Sequence, residues 1–208
     1  VQIVKDDMKK ILFENQVQEE KLSKNQREIA YHIKQADEKD LLSSARKSVE
    51  EEVIKEINNN NVISIKGKSG NGKSTLMAKL YRRMDKDSII LFSSLTPKTT
   101  SALGIMRTIT AYINESLEKE NDESAYIESN THNKQAKFEQ SLSVEEKKYQ
   151  LALREYFLKG KDELVILIDA IDQLDRPEDI ASLIKPINFI NDSKIKFIIS
   201  YMDDGKEN

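Results

Sequence analysis

At 208 residues the chain has room for one domain of ordinary size, or one domain plus a helical appendage. Apolar residues make up 38% and charged residues 33%, and the net charge of −3 provides no whole-chain basic field that would point to nucleic acid. The absence of cysteine excludes disulfides and thiolate metal sites, and the longest apolar runs, Leu164–Ile168 and Ile195–Ile199, fall far short of the ~20 residues needed to span a bilayer. No secretory signal is visible, so the expectation is a soluble, cytoplasmic protein without a membrane partner. Because the chain starts at Val1 rather than Met, it reads as a piece of something longer.

Residues 1–57 read as helix. Ile3, Val4, Met8, Ile11, Leu12, Val17, Leu22, Ile29 and Ile33 recur at roughly three- and four-residue spacings among Lys, Glu and Gln, with no Pro or Gly between them. A second helix, about Asp40–Ile57, places Leu41, Leu42, Ala45, Val49, Val53, Ile54 and Ile57 on one side. It stops at the run Asn58–Asn61, whose side chains compete for backbone hydrogen bonds. Val62–Ile65 is a short β-branched run that feeds a glycine-rich turn, and Ser74–Met84 returns to helical spacing. Ile89–Phe92 is a second strand of buried type. Pro97 suits a helix start, and Leu103, Ile105, Met106, Ile109 and Ile113 make an amphipathic helix after it.

Residues 118–142 hold few large aliphatics and read as an exposed insertion. Helix resumes over Val144–Leu158, with Ser143 and Glu146 spaced as a capping box. Leu164–Ile168 is a central strand, Pro177–Ile190 a helix and Ile195–Ser200 a last strand. Strands of continuous rather than alternating apolar character, separated by helices, imply a mostly parallel sheet covered on both faces. The expected class is therefore α/β: a three-layer sandwich preceded by N-terminal helices, with a helical insertion before the strand that ends in Asp169, and the motif at Gly67–Ser74 makes it the P-loop NTPase type.

The chemistry begins at Gly67-Lys68-Ser69-Gly70-Asn71-Gly72-Lys73-Ser74, which fits G-x-x-x-x-G-K-[ST] at every defined position. Converging backbone N–H groups at Gly67, Ser69, Gly70, Asn71 and Gly72 suit phosphate oxygens, and the helix that follows adds its positive end. Lys73 would reach the β- and γ-phosphates, the Ser74 hydroxyl would ligate Mg²⁺, and Thr75 would sit near the α-phosphate. A strand precedes the motif and a helix follows it, which is the context the chemistry requires.

Such a site also needs a carboxylate at the end of a neighbouring strand. Leu164–Ile168 followed by Asp169 supplies one at the carboxyl edge, where open α/β sheets bind ligands. Asp169 is the candidate for the Mg²⁺ shell, and Asp172, three residues on, for orienting the attacking water. Ser200, at the end of the last strand, is a candidate γ-phosphate contact. Arg107, Arg154 and Arg176 are each possible charge-neutralising groups, and the sequence selects none of them. His32 and His132 lack ligand spacing.

Gly67–Thr75, the segment Leu91–Thr100 and Leu167-Ile168-Asp169-Ala170-Ile171-Asp172-Gln173-Leu174 together resemble the NACHT branch of the STAND ATPases. The likeness is strongest to nephrocystin-like and vault-associated members and to bacterial antiviral proteins. Ala170 and Asp172 match a small residue and a second acid after the Mg²⁺ aspartate. Gln173 stands where many members carry Glu, and the Arg often found near Ser200 is absent. The resemblance implies ATP or ADP with Mg²⁺, slow hydrolysis and a switch that oligomerises on sensing a protein ligand. It also implies a plan of linker (1–40) and nucleotide-binding domain (41–208), stopping before a helical lid and winged helix. This module would bind no nucleic acid directly. An AAA+-like motor with continuous turnover is the alternative.

Overall fold

The computed structural model describes residues 24–40, 47–84, 87–118, 143–185 and 194–203. The sequence-predicted helix before residue 24 and the insertion up to residue 142 lie outside them. The elements in chain order are α1 (Lys24–Asp40), α2 (Lys47–Asn59), β1 (Val62–Gly67), α3 (Lys73–Arg83), β2 (Asp87–Phe92), α4 (Ala102–Glu118), α5 (Val144–Leu158), β3 (Leu164–Asp169), α6 (Ile180–Ile184) and β4 (Ile195–Met202). Short 3₁₀ turns lie at Pro97–Thr99, Ile171–Gln173 and Pro177–Asp179.

All strand pairs are parallel, in the order β1-β4-β3-β2. The register sets Phe92 opposite Asp169 and Gly67 opposite Met202, so the strand ends that matter for chemistry lie along one edge of the sheet. Successive residues on a strand point to opposite faces, and the core divides accordingly. On one face Ile89, Leu91, Ile166, Ile168, Phe197 and Ile199 pack with Ile105 and Ile109 of α4 and Tyr149 and Leu153 of α5. On the other, Ile90, Phe92, Val165, Leu167 and Ile198 pack with Val53 and Ile57 of α2 and Leu76, Met77 and Leu80 of α3. This is the covered-on-both-faces sheet expected of the pattern. All six residues of β3 are buried.

β1 differs from the other strands. Expected as a buried strand, it lies at a sheet edge, and exposed and half-buried residues alternate along it. The opposite edge is closed by α1. Residues 24–40, read from the sequence as linker, dock there: Ala36 and His32 are fully buried, and His32 Nδ1 accepts the outward Phe92 N–H at 3.0 Å. A sheet edge presents unpaired N–H and C=O groups, and a helix-borne imidazole satisfies one of them. The ring also stacks on Phe92, with centroids 6.2 Å apart.

Burial pushes the His32 imidazole down to about 4, against the opposing pull of Glu28, whose carboxylate lies 3.7 Å from Nε2. An unfolded imidazole titrates near 6.5, so the unfolded chain takes up the proton first. The contribution of His32 to stability is complete above pH 6.5 and declines as pH falls toward 4. Between pH 7 and pH 5 the wild type is expected to lose about 2 kcal/mol that His32→Asn keeps. Urea unfolding of both proteins at the two pH values checks this, and equal losses would refute it.

Two helices depart from expectation. Helix was expected from Pro97, but a 3₁₀ turn forms there, closed reciprocally by Thr96 and Thr99, and α4 starts only at Ala102. Ser101 makes the new start: its hydroxyl accepts the Gly104 N–H at 3.2 Å and its carbonyl that of Ile105 at 3.0 Å. The helix expected over 177–190 is a 3₁₀ turn followed by the short α6, and residues 186–190 lie outside the described part. The capping box of α5 forms as expected, with Ser143 N–H donating to Glu146 at 2.7 Å and Glu146 N–H to Ser143 Oγ at 3.3 Å.

Candidate functional site

The turn between β1 and α3 is shaped by backbone conformations that side chains disfavour. Gly70 (φ 78°) and Gly72 (φ 72°) are left-handed, and Cβ atoms there would meet nothing within 4 Å. Conformation, not space, calls for glycine at these positions. The turn is tied by Asn71 N–H to Lys68 O at 3.2 Å.

Helix α3 starts at Lys73 with no side chain capping it and no acid in its first turn. The N–H groups of that turn, with the positive end of the helix dipole, therefore face the cleft without a competing anion. Lys73 Nζ rests on the carbonyls of Gly67 (2.6 Å) and Lys68 (3.1 Å), held at the mouth of the turn.

A cleft of about 280 Å³ lies at the carboxyl edge of the sheet. It is lined on one side by Ser69–Ser74 and on the other by Asp169, Ala170, Asp172 and Gln173, with Met202 alongside. Most of the predicted site residues thus converge: Ser69, Gly70, Asn71, Gly72, Lys73, Ser74, Asp169 and Asp172. Three others do not line it. Gly67 supports Lys73 from below, Thr75 is half-buried within α3, and Ser200 is fully buried.

The two acids are held in different ways. Asp169 is almost entirely buried and accepts a hydrogen bond from Ser200 Oγ. Asp172 is exposed, and its Oδ1 accepts the Met202 N–H at 2.9 Å. Ala170 between them is left-handed (φ 57°), which turns the chain across the cleft. The segment is braced from the connection after β2: Ser93 N–H donates to Asp169 O (3.0 Å), Ser94 Oγ to Gln173 O (2.6 Å) and Asp175 N–H to Thr100 O (2.8 Å).

Met202 was not anticipated from the sequence. Its part in holding Asp172 is a backbone contact, and Met202 lies just past the strand expected over Ile195–Ser200, which continues to Met202. The same strand end reaches the glycine-rich turn through Asp203 N–H to Gly67 O (3.1 Å) and the Lys66–Asp203 ion pair (3.1 Å). None of the candidate arginines lines the cleft. Arg107 pairs with Glu145 at 3.2 Å, and Arg154 and Arg176 are exposed.

The donors fit Mg²⁺ better than a cation needing a full protein cage. Among the described residues no three His, Asp or Glu side chains cluster. One hydroxyl and one carboxylate, completed by water and phosphate oxygens, is how Mg²⁺ is usually held beside a nucleotide. Among the described residues no helix is long and apolar enough to cross a membrane.

No curated protein matches the chain. Solved structures similar to it include C. elegans PCH-2, at 15% identity and a TM-score of 0.37, over 88% of this chain and 38% of that one. The chain therefore spans well under half of the length of that protein. Residues 42–200, which carry the glycine-rich turn and both acids, match the family model described as nephrocystin 3, N-terminal, and the chain belongs to that family.

Proposed function

We propose that the chain is the Mg²⁺–ATP-binding module of a NACHT-type signalling switch, which oligomerises in the full-length protein when a protein ligand is sensed, as in antiviral defence. One observation carries the nucleotide reading: the uncapped start of α3, with Lys73, faces Asp169 and Asp172 across a cleft of about 280 Å³. A cleft positive on one wall and acidic on the other suits a polyphosphate bridged to a cation.

Lys73 leaves the carbonyls of Gly67 and Lys68 and places its ammonium on the β- and γ-phosphates. Backbone N–H groups of the turn and of the first turn of α3 bind the remaining oxygens. Ser74 and Asp169 would hold the metal. When bound, Mg²⁺ neutralises charge on the phosphates. Asp172, anchored at Oδ1 by Met202, orients the attacking water. Gln173 in place of a further acid supports slow hydrolysis, and slow hydrolysis supports a switch in which the γ-phosphate biases a two-state arrangement.

Asp169→Asn is expected to leave ATP binding in EDTA intact and to remove most of the extra thermal stabilisation that Mg²⁺ adds. Melting curves with ATP, with and without Mg²⁺, decide it, and an undiminished Mg²⁺ increment would remove Asp169 from the site. Steady turnover of about 1 s⁻¹ or more would favour the motor reading over the switch.

A further inference from the structure

Ser200 lies at the end of β4, where a polar side chain would be expected to touch phosphate. Instead it is fully buried, and both of its hydrogen bonds go to protein. Its hydroxyl donates to Asp169 Oδ1 and accepts the Ala170 N–H at 2.9 Å. One oxygen thus clamps two consecutive residues of the facing segment: the carboxylate at the end of β3 and the left-handed residue that turns the chain toward Asp172.

Geometry at Ala170 makes that clamp consequential. A left-handed conformation costs energy for any residue with a Cβ and persists only where surroundings over-determine it. Here the restraint comes from β4 through Ser200 and from the residues just after β2, Ser93 and Ser94. A buried carboxylate hydrogen-bonded at one oxygen is restrained about its last torsion, which favours one orientation of its metal-facing edge before a cation arrives.

We propose that Ser200 is a positioning residue for the metal, holding the Asp169 carboxylate and the Ala170 bend in place, and that it does not contact the nucleotide. This rests on the reading of the cleft as a Mg²⁺–ATP site. Partners that orient metal ligands typically alter metal affinity ~10–100-fold when removed. In the full chain, S200A is expected to raise the Mg²⁺ concentration for half-maximal stabilisation at fixed ATP by about tenfold or more. ATP binding in EDTA should be unchanged, and S200T, which retains the hydroxyl, should restore the wild-type midpoint.

An unchanged midpoint in S200A overturns the proposal. So does a S200T midpoint as poor as that of S200A, because packing rather than the hydroxyl would then matter. Loss of ATP binding by S200A in EDTA also overturns it, because Ser200 would then serve the nucleotide directly. Should S200A not fold, S200C carries the same test, and a wild-type midpoint again refutes the role. Lys73→Ala separates the two levels. If that variant still binds Mg²⁺–ATP, the cleft reading fails; if it does not while S200A keeps the wild-type midpoint, only the positioning role fails.

Discussion

Lys73→Ala is expected to abolish the rise in melting temperature that Mg²⁺–ATP produces in the wild type. A ligand at a hundred times its dissociation constant stabilises the folded state by about 2.7 kcal/mol. In a chain of this size each kcal/mol moves the midpoint by about 2–4 °C, so the wild-type rise should be roughly 5–10 °C. The ammonium is the only lysine or arginine charge among the described residues lining the cleft, seated 2.6 Å from the Gly67 carbonyl. Alanine removes it while leaving the helix start and the left-handed glycines in place. The ligand-free protein should lose little, because a hydrogen bond to a partly exposed carbonyl contributes about 1 kcal/mol. A wild-type shift in the variant would mean that the nucleotide, if it binds, does so elsewhere.

Gly104→Ala is expected to be the alanine substitution with the severest clash among the described glycines. Helix propensity alone would favour alanine by about 1 kcal/mol. Packing reverses the sign: a Cβ at this position would lie 2.0 Å from the Lys98 carbonyl oxygen and 3.0 Å from its carbon. Those are backbone atoms of the Pro97–Thr99 turn, which Thr96 and Thr99 close and Ser94 N–H to Thr99 O (2.9 Å) ties down. Neither side yields easily, because α4 is anchored in the core by Ile105, Met106, Ile109 and Ile113. We expect a net loss of about 2–3 kcal/mol, in the range of overpacked cores. Urea unfolding measures it, and an equal or higher midpoint would show that the turn moves freely. Since Thr100 O and Ser94 Oγ brace the segment after β3, the same variant should also weaken Mg²⁺–ATP binding.

Local features were the most legible in the sequence. The glycine-rich turn, the buried β3 run ending in Asp169 and the Ser143–Glu146 box each depend on residues a few positions apart, and each appears where the pattern placed it. Boundaries were less legible wherever a local preference met a tertiary contact. Pro97 suits a helix start, but a 3₁₀ turn closed by Thr96 and Thr99 forms there, and α4 starts at Ala102 after Ser101. For residues 24–40 the sparse apolar stripe suggested a linker. It did not show that His32, a polar residue, would be buried to close the sheet edge at Phe92.

The candidate site divides in the same way. Residue types and local spacing made Lys73, Ser74, Asp169 and Asp172 candidates, and the structure brings all four to one cleft. Strand order was beyond their reach: β1-β4-β3-β2 puts β1 at an edge and sets β4 directly beside the Asp169 strand. That adjacency turns Ser200 from a cleft-facing candidate into a buried partner of Asp169 and brings the Met202 N–H to Asp172, thirty positions away in sequence. Such contacts arise from pairing between distant strands, whose register is set by the burial of both sheet faces together. No short window of sequence contains that information, so only the folded sheet decides which polar groups meet.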